Sequence, residues 1–459
     1  MSDRLGPRIV VAGTASGVGT TTVATGIMAA LAHRGRRVGA AKVGPDYIDP
    51  GYHSLAVGRP GRNLDPWMCG EGVVAGLAAR AGAGCDLLVI EGVMGLFDGA
   101  GADAEPEAAP EAAPMRMASS TAHVAVLLDA PVILVVDASS MSGSVAAMVH
   151  GYLTFDPAVR VSGVILNRVA SDSHEVMLRH ALAPLPVPVL GVLRRDPELR
   201  WRDRHLGLVP VVERPEEVGR ALTRLAQAVA AGCDLEGIER VARSAAARPT
   251  APLPRARPRP GARVPVAVAS GPAFSFAYPD NGEALVEAGA ELVPFDPLSD
   301  QHLPPGTVGL VAGGGFPEVF ASELARNRPL LADVRDRLAA GVVTWAECGG
   351  LLWLSRSLDG APMAGVLPCD ARMTDALTLG YRSGAVRVDS PLGPAGTPVR
   401  GHEFHYSAVS PAGEAVATSG RSGPARGGFA GATLVASYLH VHLGGAPQLA
   451  ERFVAAAAR

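Results

Sequence analysis

The chain has 459 residues, of which 19% are charged and 48% hydrophobic. This length predicts two or three domains at roughly 100–200 residues each, and the composition excludes wholesale disorder. The formal net charge of -3 gives no electrostatic footprint for nucleic acid, so we expect small-molecule partners and not DNA or RNA.

The five cysteines are widely spaced and form no Cys-x-x-Cys pair. This pattern argues against a disulfide framework or a four-thiolate zinc site, and it fits the reducing cytoplasm. No apolar run reaches the roughly 18 residues that a membrane helix needs, and the start of the chain resembles a first strand more than a signal peptide. We therefore expect a cytoplasmic protein with no membrane partner; a homodimer is one open possibility.

The first half of the chain alternates strand-like and helix-like segments. Apolar runs of strand length lie at residues 8–12, 38–42, 87–90, 132–136 and 161–166. Residues 22–32 carry apolar side chains at helical spacing. Continuous apolar strands separated by helices predict an α/β domain with a doubly wound parallel sheet. The low-complexity segment 101–114 interrupts this alternation, and we expect it to be a surface insertion.

A glycine-rich loop joins the first predicted strand to the first predicted helix. In a P-loop, backbone N–H groups surround the phosphates of a nucleotide, and this loop has the same setting between strand and helix. The candidate nucleotide-binding residues in it are Gly13, Thr14, Ser16, Gly17, Val18, Gly19, Thr20, Thr21 and Thr22. The Thr21 hydroxyl is placed to bind Mg²⁺, whereas Thr20 stands where such loops normally carry a lysine.

Two charged residues follow neighbouring predicted strands. Lys42 ends the strand at 38–42, and Glu91 follows the apolar run at 87–90. Because the carboxyl ends of parallel strands meet at one edge of a sheet, we expect both side chains beside the loop. Together they favour a nucleoside triphosphate site with Mg²⁺ on Thr21 and Glu91 over a glycine-rich turn without a ligand. We also hypothesise that Lys42 supplies the charge that Thr20 lacks.

A stretch rich in Pro and Arg at 248–265 predicts an extended linker. It separates an expected N-terminal domain, 1–247, from an expected C-terminal domain, 266–459. After the linker the alternation restarts. The expected strands are 266–269, 291–294, 308–312 and 342–345, and the expected helices are 282–288, 321–338 and 350–357.

Cys348 follows a predicted strand at a sharp turn into a helix, in the sequence Ala-Glu-Cys-Gly-Gly. We expect such a turn to expose the thiol, and the helix N-terminus favours its thiolate form, so we predict a nucleophile. Backbone N–H groups of Gly314, Gly315 and Gly349 are candidates for stabilising an oxyanion. The general base is then His440 or His442, after a predicted strand at 434–438.

Short motifs along almost the whole chain closely resemble the family of cobyrinate and hydrogenobyrinate a,c-diamide synthases. They include KVGPDYIDPGYH at 42–53, EGVMGLFDG at 91–99, AECGG at 346–350, GHEFHYS at 401–407 and SYLHVH at 437–442. That family joins an ATP-dependent synthetase domain, similar to dethiobiotin synthetase, to a class I glutamine amidotransferase domain. It amidates the a- and c-acetate side chains of a corrin ring.

The resemblance implies a reaction in two parts. ATP with Mg²⁺ converts a ring acetate to an acyl phosphate, and ammonia released from glutamine attacks it. Cys348 is implied as the glutamine nucleophile and His440 as its base. The chain has His440-Val441-His442 where full class I triads carry His-x-Glu, so we expect a Cys–His dyad with no supporting glutamate.

The resemblance also implies ligand contacts. Asn167 is expected to read the nucleotide base, and Asp46 to join Thr21 and Glu91 at the metal. Residues expected to contact the corrin polycarboxylate, phosphate or glutamine are Asp46, Tyr47, Asp49, His53, Arg382, His402 and His405. Two alternatives stay open: an amidase acting at other positions of a tetrapyrrole, and a non-catalytic nucleotide- or corrinoid-binding remnant that has decayed at Thr20. Whether the ring carries cobalt is also open.

Overall fold

A computed structural model describes residues 4–99, 117–196, 203–204 and 207–459. The chain divides into two compact units, Met1–Leu253 and Pro254–Arg459. The division falls inside the predicted linker at 248–265. The insertion expected at 101–114 lies outside the described residues.

The first unit is built on a parallel sheet. Its described strands are β1 (Arg4–Leu5), β2 (Arg8–Gly13), β3 (Val38–Val43), β4 (Arg62–Leu64), β5 (Leu87–Gly95), β6 (Val132–Asp137), β7 (Val161–Val169), β8 (Val189–Arg194), β9 (Asp203–Arg204), β10 (Gly207–Leu208) and β11 (Arg248–Pro249). Seven of them form one sheet in the order β4-β3-β5-β2-β6-β7-β8, and every neighbouring pair in it is parallel. The predicted α/β class and parallel sheet are confirmed.

Helices connect these strands. The described ones are α1 (Thr20–His33), α2 (Asp49–Val57), α3 (Pro66–Cys69), α4 (Glu71–Ala81), α5 (Thr121–Leu127), α6 (Ser144–Thr154), α7 (Asp172–Leu182), α8 (Pro215–Gly232) and α9 (Leu235–Arg243). All six residues of β2 and all six of β3 are buried. Strands covered on both faces carry apolar side chains at successive positions, which is why their sequences are continuous apolar runs. Because the sheet is parallel, β2, β3 and β5 all end at the same edge.

The two ends of the first unit are joined. β1 pairs with β11 in antiparallel register, with Arg4 opposite Pro249. Arg8 is fully buried, and its guanidinium donates hydrogen bonds to the carbonyls of Leu128 (2.7 Å) and Ala246 (3.0 Å). A buried guanidinium is tolerated because its N–H groups find carbonyl acceptors. These contacts fix the start of the unit to its last residues.

The second unit holds two sheets. Its described strands are β12 (Val264–Ala269), β13 (Ala290–Phe295), β14 (Gly309–Ala312), β15 (Val343–Glu347), β16 (Ser357–Leu358), β17 (Ala361–Pro362), β18 (Asp370–Val386), β19 (Thr397–Ser410), β20 (Val416–Gly420), β21 (Gly423–Gly427), β22 (Phe429–Gly431), β23 (Leu434–Ser437) and β24 (His440–Val441). The first sheet has the order β13-β12-β14-β15-β23-β22 and is parallel except at β22. The second runs β17-β16-β18-β19-β24, with β20 paired to β18 and β21 paired to β20, and it was not predicted.

The described helices of the second unit are α10 (Pro279–Glu287), α11 (Ala321–Arg326), α12 (Arg328–Ala339), α13 (Gly349–Leu354) and α14 (Pro447–Ala457). The single helix predicted at 321–338 is wrong, because the chain breaks at Asn327. Pro329 has no N–H to donate to the carbonyl four residues earlier, so it suits the first turn of a new helix, and the Asn327 side chain caps that helix. Across the part of the chain that the structure describes, no helix combines the length and apolar composition that a membrane span needs.

Candidate active sites

The glycine-rich loop lies between β2 and α1, at the edge where β3 and β5 also end. Gly17 and Gly19 have φ angles of 79° and 94°, which other residues rarely adopt, so the loop can turn its backbone inward. A cavity of about 720 Å³ opens beside the loop and is lined in part by Gly19, Thr21 and Lys42. That volume is within the usual range for small-molecule sites and is large enough for a nucleotide.

Thr20, in the place of the usual lysine, folds back over the start of the loop. A Cβ atom added at Gly13 would lie 2.4 Å from the Thr20 hydroxyl oxygen and 2.8 Å from a Val18 methyl group. Gly13 is therefore required by close packing within the loop. Tyr152 adds a further support from α6, because its hydroxyl donates a 2.5 Å hydrogen bond to the carbonyl of Thr14.

Three carboxylates converge on one buried lysine beside the loop. Lys42 Nζ lies 2.7 Å from Asp49 Oδ2, 2.6 Å from Glu91 Oε1 and 3.9 Å from Asp46 Oδ2. Thr21 donates to Glu91 Oε1 at 2.6 Å and lies 3.2 Å from Asp49 Oδ2. The structure thus brings together the residues predicted for phosphate and metal binding. It also adds Asp49, which was expected to contact substrate.

Burial and charge set the protonation of this cluster. Burial alone would lower the pKa of Lys42, but Asp49 and Glu91 outweigh it and hold that pKa above its ordinary value. Burial raises the pKa of Glu91, yet the ammonium of Lys42 brings it below its usual range. The pKa of Asp49 is raised by burial and then by the charge of Asp46. Burial and the neighbouring carboxylates therefore oppose the charged form of Asp49.

The donor set fits Mg²⁺ bound together with a nucleotide. Three carboxylates lie beside a single ammonium, and the Thr21 hydroxyl contacts two of them, so the cluster offers oxygen ligands to a hard cation. Within the described residues, no group of three or more His, Cys, Asp or Glu side chains forms a preformed metal cage. Mg²⁺ usually keeps only one or two protein carboxylates and completes its shell with phosphate oxygens and water, so such a cage is not needed.

Two predicted ligand contacts occupy different positions from those expected. His53 is fully buried, and its Nε2 lies 2.5 Å from Glu91 Oε2, so it orients that carboxylate and does not face a substrate. Asn167 lines the cavity, but its Nδ2 donates to the Val18 carbonyl at 2.8 Å. That contact supports the loop, and reading of the base by Asn167 stays a prediction. Tyr47 is half-buried on the loop before α2.

In the second unit, Cys348 lies at the turn from β15 into α13. Its φ of 46° and ψ of -99° mark a strained conformation for a non-glycine residue. The thiol is only 5% exposed, so the expectation of an exposed cysteine is wrong. Gly314 and the strand β24, which carries His440, cover the turn. A Cβ atom added at Gly314 would lie 2.4 Å from His440 Cε1.

His440 is the imidazole that faces this thiol. It is buried, and burial alone would lower its pKa, but a hydrogen bond with Cys348 and the neighbouring Glu347 raise the pKa of His440 to about 10. His440 Nδ1 lies 3.6 Å from Glu347 Oε2. The expected dyad without a glutamate is therefore corrected, since a carboxylate lies next to the histidine. Sequence reasoning missed Glu347 because only the fold brings β24 beside the end of β15.

The oxyanion candidates separate on their hydrogen bonds. The Gly314 N–H donates to the Phe276 carbonyl at 3.3 Å, so the structure argues against its predicted role as a donor to an oxyanion. Gly349 packs directly against Gly315, because a Cβ atom added at Gly349 would lie 3.1 Å from the Gly315 nitrogen. Gly315 and Gly349 remain the candidates.

The other predicted contacts of the second unit lie in the antiparallel sheet. Arg382 is buried, and its Nε donates to Glu403 at 3.0 Å. His402 pairs across the β19–β24 ladder with His440. The ring of His405 stacks on Tyr438 with centroids 3.7 Å apart. Glu403, His405 and Tyr438 also line a cavity of about 270 Å³, so this part of the predicted set surrounds a small pocket.

Comparison with known families divides the chain in the same way. Residues 9–209 match the model described as the CobQ/CobB/MinD/ParA nucleotide binding domain. Residues 265–448 match the model described as the CobB/CobQ-like glutamine amidotransferase domain. Each match contains one of the two sites described above.

Curated relatives match the chain over nearly its whole length. Hydrogenobyrinate a,c-diamide synthase of Streptomyces coelicolor is 50% identical over 98% of this chain and 97% of its own. The enzyme of that name from Mycobacterium tuberculosis is 48% identical, with 98% of each chain covered. Cobyrinate a,c-diamide synthase of Synechococcus is 39% identical, again with 98% of each chain covered.

Proposed function

The chain belongs to the family of cobyrinate and hydrogenobyrinate a,c-diamide synthases, and from that premise we propose how its two sites divide the reaction. It is an ATP- and glutamine-dependent ligase that amidates the a- and c-acetate carboxylates of a corrin ring in cobalamin biosynthesis. Two contacts carry the proposed division. In one unit Cys348 contacts His440, and in the other the glycine-rich loop contacts Glu91 through Thr21.

The first site activates the acid. A carboxylate oxygen of the ring attacks the γ-phosphorus of ATP. The bond between that phosphorus and the oxygen that bridges it to the β-phosphate breaks, so ADP departs and the ring carries an acyl phosphate. Loop N–H groups and Thr21 bind the phosphates, while Lys42 holds Asp49 and Glu91 in place. When bound by Thr21, Asp46 and Glu91, Mg²⁺ would offset phosphate charge.

The second site releases ammonia. The Cys348 sulfur attacks the side-chain amide carbon of glutamine, and His440 takes the thiol proton and returns it to the leaving nitrogen. N–H groups of Gly315 and Gly349 stabilise the oxyanion. Water then hydrolyses the thioester to glutamate. Ammonia attacks the acyl phosphate carbon, inorganic phosphate leaves, and the amide remains on the ring.

We propose that glutamine occupies the cavity of about 270 Å³ beside Tyr438. Glu403 provides a carboxylate for the α-amino group, and Arg426 a guanidinium for the α-carboxylate. Backbone contact supports this placement, because the Cys348 N–H donates to the carbonyl of Ser437, which lines the same cavity.

The ring that we propose as substrate is hydrogenobyrinate, which carries no cobalt. Three relatives named for that activity are 46–50% identical to the chain, against 39–42% for three named for cobyrinate. The test is incubation with each ring, ATP, Mg²⁺ and glutamine, followed by mass spectrometry. We expect two amidations of hydrogenobyrinate. Amidation at other positions would indicate a sister amidase, and tight ring binding without turnover would indicate a remnant.

Thr20 allows a gain-of-affinity test at the loop. Lys42 is already balanced by three carboxylates, so its charge is a weak substitute for a loop lysine. We therefore expect Thr20→Lys to tighten ATP binding by about tenfold, because a cation would face the β- and γ-phosphates. Calorimetric titration with ATP measures this, and Thr20→Met is the control of similar length without charge. Equal ATP affinity in the Thr20→Lys variant and the parent would contradict this expectation and would mean that the loop needs no further positive charge to bind the phosphates.

We propose that the chain works in the cytoplasm, where its five free thiols would stay reduced. A homodimer is the assembly that we would test first, by light scattering on the purified chain.

A further inference from the structure

We propose that Glu347 is a positioning residue that holds the His440 ring and stabilises its protonated form. The site would then be a Cys–His–Glu triad in which the carboxylate comes from the residue immediately before the nucleophile. This inference rests on the roles proposed above for Cys348 and His440.

Within the described part of the chain, the carboxylate of Glu347 contacts β24 at two points. Its Oε2 lies 3.6 Å from His440 Nδ1, and its Oε1 accepts the Val441 N–H at 3.2 Å. The second contact fixes the direction of the first. The Glu347 side chain is 13% exposed and that of His440 is 2% exposed, so solvent screens their attraction less than it would at the surface.

The contact between Glu347 and His440 gives the two nitrogens of the His440 ring separate roles. Since Nδ1 faces Glu347, Nε2 is the nitrogen directed to the thiol. A proton taken from Cys348 makes the ring cationic, and a carboxylate beside Nδ1 stabilises that cation. A histidine oriented by an acid in this way is the arrangement that activates nucleophiles in other triads.

His442 stands where a His-x-Glu motif would have its acid, and it has a different role. It is buried, its ring packs 4.5 Å from that of Tyr278, and its Nδ1 accepts the Gly444 N–H. These contacts are structural. The position of the missing acid is therefore filled by Glu347, from another strand.

The remaining ionisable groups near His440 do not replace this carboxylate. Those that interact with it from β19 are His402, Glu403 and His405. Burial lowers the pKa of His402 to about 3 and that of His405 to about 4, so both are neutral at pH 7. Glu403 is paired with Arg382. Among the described residues, Glu347 is the carboxylate within ion-pair range of Nδ1.

The test is the variant Glu347→Gln, whose amide keeps the shape and can still accept the Val441 N–H. The readout is the rate at which iodoacetamide alkylates Cys348, followed from pH 5 to 10 by mass spectrometry of its peptide. Without the carboxylate, the protonated His440 ring is less stable, so the ring loses its proton at a lower pH and the thiolate–imidazolium pair exists over a shorter pH range. We expect the alkaline inflection of the alkylation profile to move down by about 1 pH unit.

Turnover should change in a matching way. We expect kcat for glutamine hydrolysis to fall about tenfold to a hundredfold, with KM for glutamine changed less than about twofold. An alkylation profile identical to that of the parent would overturn the proposal. Because alkylation needs neither ATP nor a ring, this outcome is separate from any failure to amidate a corrin.

Two controls separate positioning from folding. Glu323→Gln changes a half-exposed carboxylate on α11 of the same unit, and its profile should match the parent. In a His440→Gln background, Glu347→Gln should cause no further loss of alkylation rate, because its effect acts through the histidine. An equal further loss in that background would assign Glu347 a purely structural role and overturn the proposal.

Discussion

Cys348→Ala is expected to lower glutamine-driven amidation at least ~10³-fold, while amidation driven by ammonium chloride stays near the parent rate. The thiol forms the bond to glutamine, and among the described residues Cys348 is the thiol that hydrogen-bonds His440. Ammonia added from solution needs no thioester. The measurement is the rate of ring amidation with each nitrogen source, at a pH near 8.5 where free ammonia is abundant.

Cys369→Ala is the matched control. Cys369 is buried in the same unit, and burial raises the pKa of its thiol to about 11, so it is not a thiolate at the assay pH. Its variant should keep both activities. Loss of the ammonia-driven reaction in Cys348→Ala, despite an unchanged melting temperature, would contradict the division of labour between the two sites.

Glu91→Gln is expected to lower amidation with either nitrogen source by at least ~10²-fold. One oxygen of Glu91 accepts from both Lys42 and Thr21 at 2.6 Å, and the other faces His53. The amide keeps the shape of the side chain but removes the charge that balances Lys42 and attracts a divalent cation. Glutamine hydrolysis in the second unit should continue, and its rate is measured on the same sample.

Asp86→Asn is the control for this variant. Asp86 precedes β5 at its opposite end and is substantially exposed, with a contact to Arg37. Its change should leave amidation within about twofold of the parent, as is usual for a surface ion pair. If Glu91→Gln also kept its ammonia-driven rate, the acidic cluster would have no part in acid activation.

The parallel sheet and the loop could be predicted because their signals are local. Strands such as β2 and β3 are buried on both faces, so their sequences are unbroken apolar runs, and the glycines of the loop follow directly. Lys42 and Glu91 could be placed together because each ends a parallel strand. The order of elements alone therefore brings their side chains to one edge.

The antiparallel sheet and the third member of the thiol site could not be predicted in this way. β18 has exposed and half-buried residues along much of its length, so it lacks a clear apolar run. Glu347 and His440 are far apart in sequence and meet only because β15, β23 and β24 are placed together by the fold. The His-x-Glu motif also directed attention to the second residue after His440, where His442 makes structural contacts instead.

The pairing of β1 with β11, reinforced by Arg8, means that the nucleotide-binding unit begins and ends at the same place. A segment closed in this way needs nothing beyond Leu253 to complete its sheet. It could therefore be excised at that residue as an autonomous fragment, or have its natural ends joined and new ones opened in a surface loop.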